Sequence, residues 1–145
     1  MKDYKKMGQN ISKPVFEVIL LGIIFDPKTR KILIGKREND PYIPQLSWVF
    51  PGGRLTNDGE INKTLKEKIK AQTGLVVKNL GAIFSKTYEE KRDLLAVYFL
   101  CEAISGKAKK GENLKEIKWV KPSELEEHFT TSFHPRLKEY LMSIG

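Results

Sequence analysis

The chain has 145 residues, 26 basic and 18 acidic, giving a formal net charge of +8 on a sequence that is 40% apolar. That length fits one domain able to bury about two-thirds of its unfolded surface, so a core needs neither metal nor disulfide to form. A single cysteine, Cys101, excludes an internal disulfide framework and fits a reducing compartment, and the longest apolar run, Val18 to Phe25, falls well short of the ~20 residues of a spanning helix.

Residues 1–14 are lysine-rich and aperiodic, and are expected to form an N-terminal arm ahead of one domain over 15–145. The basic start imitates a signal peptide, but Glu17 interrupts the apolar region and Asp26-Pro27-Lys28 stands where small cleavage-site residues belong, so a cytoplasmic protein is expected. The β-branched run from Val15 to Phe25 predicts a central strand buried on both faces. A turn at Asp26–Thr29 leads to a second, antiparallel strand at Lys31–Gly35. Residues 38–47, with two prolines, read as a loop, and Ser47–Phe50 as a short strand stopped by Pro51-Gly52-Gly53. The clearest helix follows, capped by Asn57 or Asp58, with an apolar stripe of Ile61, Leu65 and Ile69 and a glycine stop at Thr73-Gly74. Three strands are predicted at Val76–Ser85, Leu94–Ala103 and Glu116–Val120, then helices from Pro122 to His128 and from Pro135 to Met142. One mixed sheet with helices packed on it, an α/β (α+β) fold, is the economical architecture.

The most informative stretch is Trp48-Val49-Phe50-Pro51-Gly52-Gly53-Arg54, followed by the helix and Thr73-Gly74-Leu75. It resembles the signature of the Nudix hydrolases, G-x5-E-x7-R-E-U-x-E-E-x-G-U with U apolar. Gly35-Lys36-Arg37 upstream and Ile117-Lys118-Trp119-Val120 before Pro122 extend the likeness over residues 15 to 141. The wording around the loop is most similar to the GDP-mannose mannosyl hydrolase branch. The resemblance implies a Nudix-type α/β/α sandwich, one mixed β-sheet with flanking helices. It also implies hydrolysis of a nucleoside diphosphate linked to another moiety, such as a nucleotide-sugar, with Mg2+ or Mn2+ as cofactor. A homodimer is a further family analogy. In such enzymes the glycine loop offers a backbone carbonyl and one helix face offers carboxylates, the hard oxygen ligands that magnesium prefers.

Here the chain departs from the pattern. Counting back from Gly74, the R-E-U-x-E-E slots hold Glu67, Lys68, Ile69, Lys70, Ala71 and Gln72, so Lys68, Ala71 and Gln72 occupy the three glutamate positions. Using Glu60 as the first glutamate shifts those slots to Ile69, Gln72 and Thr73 and restores nothing. Glu60 and Glu67 share a helix face but stand about 10.5 Å apart along the axis, too far for one ion. The remaining metal candidates are the Gly53 carbonyl with Gln72 or Glu67 as helpers, and weak or absent metal binding is expected. In the mannosyl hydrolase alignment, Leu114 falls in the histidine slot and Asn113 in the neighbouring glutamine slot.

By the same resemblance, Arg37 and Arg54 are the substrate-binding residues, since a guanidinium fork matches phosphate oxygens. Glu112 and Glu116 lie where many Nudix enzymes carry a catalytic base on a loop. Trp48 reads as loop packing, Cys101 as a small core residue and His134 as a helix-entry residue. Two readings stay open: a hydrolase with a degenerate metal site, or a catalytically silent nucleotide- or metabolite-binding protein. Nucleic acid is not an expected partner, because no RRM, KH or helix-turn-helix pattern occurs and the 21 lysines are not interleaved with aromatics. No membrane association is expected either.

Overall fold

The computed structural model describes residues 13–37, 48–129 and 134–144. The expected arm and the 38–47 loop thus fall almost wholly outside the described residues. The elements are strands β1 (Glu17–Asp26), β2 (Lys31–Lys36), β3 (Trp48–Val49) and β4 (Gly52–Arg54), helix α1 (Ile61–Thr73), strands β5 (Val76–Thr87), β6 (Leu94–Ser105) and β7 (Glu116–Val120), a 3-10 turn (Pro122–Glu124), and helices α2 (Leu125–His128) and α3 (Pro135–Ile144).

All seven strands join one sheet with the path β3-β2-β1-β6-β5, while β4 pairs with β1 and β7 with β2. The sheet is mixed, as expected. β1 runs parallel to β6 from Glu17 opposite Leu94 to Phe25 opposite Glu102, and the other pairings are antiparallel.

The apolar run of β1 explains the layering. Ile19 through Ile24 are all buried or packed, and successive side chains point to opposite faces. Ile19, Leu21 and Ile23 join Ile32, Ile34, Leu125, Leu137 and Leu141 in one core, beneath α2 and α3. Leu20 and Ile24 join Leu33, Leu65 and Ile69 in a second core, beneath α1. Helices on both faces of one sheet make the sandwich. Gly22 lets α1 come close, because a Cβ there would stand 2.6 Å from Ile69 Cδ1. Cys101 is fully buried in the second core, and burial pushes its thiol pKa up to about 12, as suits a core residue.

Three local expectations need correction. Gly52–Arg54 does not merely stop the preceding strand; it forms β4, with Gly53 opposite Leu20. Helix α1 is capped by Glu60, whose carboxylate accepts from Asn62 N–H (3.1 Å) and Lys63 N–H (2.7 Å), and not by Asn57 or Asp58. Asp58 is engaged earlier, accepting from the Thr56 hydroxyl (3.0 Å) in a turn closed by Gly59 N–H on Thr56 O (3.0 Å). The last helix runs to Ile144, past Met142. At the other end of α1 the glycine stop is as expected: Gly74 adopts φ 76° and donates to Lys70 O (2.9 Å). Among the described residues, no helix is long and apolar enough to cross a membrane.

Candidate functional site

The glycine loop, the last turns of α1 and the loop before β7 converge on one cavity. The first wall is β4, laid along β1: Gly22 N–H donates to Pro51 O (2.7 Å) and Leu55 N–H to Val18 O (2.9 Å). Gly52 has φ 151°, and a Cβ there would fall 1.9 Å from the Leu20 carbonyl oxygen, so only glycine lets the loop approach this closely. Gln72 then fastens the loop to the helix. Gly52 N–H donates to its Oε1 (3.0 Å), and its Nε2 donates to Gly52 O (2.7 Å). Both bonds are buried, and they match a side-chain amide to both backbone polar groups of one residue.

The second wall is the stretch from Lys109 to Lys115. Lys109 N–H donates to Thr73 O (2.9 Å), Gly111 N–H to Gln72 O (2.8 Å) and Glu112 N–H to Ala71 O (3.1 Å). These bonds satisfy carbonyls that the end of α1 would otherwise leave open. Lys115 N–H on Lys36 O (2.8 Å) ties the stretch to β2, directly before Arg37. Between the two anchors, Asn113 turns the chain at φ 63°, a left-handed conformation that asparagine tolerates.

The cavity between these walls has a volume of about 280 Å³ and is lined by Arg37, Gly52, Gly53, Arg54, Lys68, Gln72 and Asn113. Three of these seven residues are cationic, and among the described lining residues none is a carboxylate. Lys68 crosses the loop: a Cβ on Gly53 would lie 3.1 Å from its Cδ and 3.3 Å from its Cε.

Arg37, Arg54, Gly53 and Gln72, singled out from the sequence, are brought together here. Glu67 is not among the lining residues; it is exposed on α1, one position round the helix from Lys68. Glu112 and Glu116 are exposed too. Glu112 precedes Asn113 beside the cavity, whereas Glu116 lies on β7 opposite Lys36. Two contributors were not recognised as such in the sequence: Lys68, which stood out only as a missing glutamate, and Asn113. The spacing of Lys68 four residues before Gln72 places both on one helix face, and is the signal that locates it.

The donor set does not fit a divalent-metal centre. Glu67 lies outside the lining, the Gln72 amide is held by Gly52, and the described residues contain no group of three or more His, Cys, Asp or Glu able to hold a metal. Lys68 opposes a cation as well, since unit charges ~4 Å apart interact by about 4 kcal/mol at an effective dielectric near ~20.

The neighbouring residues have packing roles. Leu114 is buried and fills the space above Gly35, where a Cβ would meet its Cδ1 at 2.7 Å. Trp48 packs against the first core, edge-on to His128 with ring centroids 5.4 Å apart. His134 Nδ1 accepts from Arg136 N–H (3.1 Å) at the entry to α3.

Comparison with known proteins gives a consistent picture. A family model described as the NUDIX domain matches residues 16–141. An ADP-ribose pyrophosphatase of Methanocaldococcus jannaschii is 30% identical over 92 residues, covering 61% of this chain and 53% of that protein. The chain thus spans about half the length of that relative. Among solved structures, a NUDIX hydrolase from Nitrosomonas europaea superposes with a TM-score of 0.69 at 17% identity, covering 90% of this chain and 72% of that one. A MutT protein from Methanosarcina mazei superposes with a TM-score of 0.67 at 15% identity, covering 92% and 95%. At these identities the superpositions speak for the fold alone.

Proposed function

The chain belongs to the Nudix family, and from that membership we propose that it hydrolyses a nucleoside diphosphate linked to a second moiety, of the ADP-ribose type. The observation that carries this reading is the set of Arg37, Arg54 and Lys68 around the Gly52-Gly53 loop, a cationic cavity of about 280 Å³. That volume sits at the lower edge of the ~300–1,000 Å³ usual for ligand pockets, which suits a diphosphate held inside with the nucleoside lying across the opening. Arg37 and Arg54 act as forks on the phosphate oxygens. The M. jannaschii relative directs the choice of ligand toward ADP-ribose.

Hydrolysis breaks one phosphorus–oxygen bond of the anhydride, bonds the water oxygen to that phosphorus and releases two phosphate monoesters. The attacking water must lose a proton. Glu112, beside Asn113 and anchored through its N–H to Ala71 O (3.1 Å), is the carboxylate we assign as acceptor, with Glu116 as the alternative. Nudix hydrolases generally use divalent metals, whereas the donor set among the described residues does not suit one.

Incubating the full chain with ADP-ribose and a panel of nucleotide-sugars, with magnesium, with manganese and with chelator, tests the proposal by chromatography of the products. AMP and ribose 5-phosphate are expected from ADP-ribose, with KM raised in Arg37→Ala and Arg54→Ala. Absence of turnover across the whole panel refutes it. That no carboxylate stands among the described lining residues favours one second reading, a binding protein that retains the ligand without consuming it.

A further inference from the structure

Among the described residues, the cavity is lined by Arg37, Arg54 and Lys68 and by no carboxylate. We infer that the cavity binds a diphosphate free of divalent cation, the Lys68 ammonium supplying the positive charge that a metal ion supplies elsewhere in the family. The inference deepens the proposed function and rests on its placing of the diphosphate between Arg37 and Arg54.

Position and charge both support it. Lys68 occupies a glutamate slot of the family pattern, and its side chain lies against the glycine loop. Its stem passes over Gly53, within 3.1–3.4 Å of where a Cβ would be, so the absence of a side chain at Gly53 is what lets the lysine lie there. Among the described residues, no carboxylate forms an ion pair with Arg54 or Lys68. Cations crowded into one small cavity repel one another, and a bound anion relieves that repulsion. A diphosphate diester carries two negative charges, and a terminal diphosphate carries about three near neutral pH. Either supplies the negative charge that Arg54 and Lys68 call for. Magnesium bound to the diphosphate would cancel the charge that the three side chains recognise and compete with Lys68 for the same oxygens. It should weaken binding, not enable it.

Isothermal titration of the full chain with inorganic pyrophosphate and with ADP-ribose, in EDTA and in magnesium, tests the inference. Binding in EDTA is expected to be at least as tight as in magnesium. Lys68→Met keeps the stem over Gly53 but removes the charge, and should weaken binding in EDTA roughly tenfold or more. Lys68→Glu should abolish it, while Lys63→Ala, exposed outside the cavity, should leave it unchanged. Melting curves of each unliganded variant separate loss of charge from loss of fold. Binding that appears only with magnesium, or an unaltered Lys68→Met in a folded protein, overturns the inference while leaving the hydrolase proposal to its own turnover assay. Failure of both ligands to bind under every condition overturns the inference as well, and the hydrolase proposal is still decided by turnover across its own panel.

Discussion

Replacing Gln72 with glutamate returns a carboxylate to a family metal slot, and the structure expects this apparent repair to damage the protein. Gln72 is 7% exposed and uses both ends of its amide, accepting from Gly52 N–H and donating to Gly52 O. An ionised glutamate can still accept but has nothing to donate. Its second oxygen then faces the Gly52 carbonyl at the distance of a hydrogen bond with no hydrogen between them. One buried acceptor left unsatisfied costs ~1–3 kcal/mol, and burying the charge adds to this, so a loss of about 3 kcal/mol is expected. For a chain of this length that corresponds to a fall of about 6–12 °C in Tm. The pH dependence carries a distinctive sign. A protonated glutamate can donate to Gly52 O, so folding favours the protonated form and raises the carboxyl pKa above its unfolded value. Stability relative to wild type should therefore be best below the unfolded glutamate pKa and decline as pH rises through the folded one. Urea titrations of the two proteins across mildly acidic to neutral pH, in EDTA, measure this directly. If Gln72→Glu matches or exceeds wild-type stability at neutral pH without added metal, the clamp on Gly52 is not what Gln72 is for.

Other substitutions probe the remaining parts of the site and core. Gly52→Ala should fail to fold or lose more than about 4 kcal/mol in urea unfolding, because its Cβ would fall 1.9 Å from Leu20 O. Glu60→Ala should cost about 1 kcal/mol by the same measurement through loss of the α1 cap, whereas Asp58→Ala should cost less. Ile69→Ala, at a fully buried position on the sheet-facing side of α1, should cost ~2–5 kcal/mol. Cys101 should resist alkylation at mildly alkaline pH until the chain unfolds, since burial pushes its pKa up to about 12. Burial also raises the Tyr98 hydroxyl well above its ordinary value. For both groups the folded pKa exceeds the unfolded one, so the stability they contribute is intact below the unfolded pKa, near 9 for the thiol and near 10 for the phenol, and is lost as pH climbs toward the folded values. Cys101→Ala and Tyr98→Phe should each flatten part of that alkaline decline.

Much of the fold is legible in the sequence because side-chain pattern decides it. The unbroken apolar run of β1 needs cover on both faces, and Leu65 and Ile69, four apart, announce α1 as one of the covers, although Ile61, expected in the same stripe, is exposed. β4 is not legible, because Gly52 and Gly53 have no side chains with which to show a period; what recruits them is the open edge of β1. The α1 cap is misread for a related reason: several polar residues precede the helix, and Asp58 is already bonded to Thr56. At the site, Arg37, Gly53 and Arg54 carry their own motif. Lys68 and Gln72 do not, since a residue's type says nothing of whether its amide turns to a backbone or its stem lies over a glycine. Those directions are set by the docking of α1 against β4, a tertiary event.

The parallel pairing of β1 with β6 bears on how such a protein is made. Arg37, Gly53, Arg54, Lys68 and Gln72 have all left the ribosome long before Leu94, the residue that begins the zipping of β6 onto β1. Until that late strand arrives, β1 has one edge bare, and Asn113 and its anchoring stretch have still to be synthesised. A nascent or truncated chain ending short of β6 would carry every cationic side chain of the described lining but lack the second wall of the cavity. Nucleotide capture should therefore switch on only once β6 and the stretch through Lys115 have been made and packed, as an all-or-none property of the closed cavity.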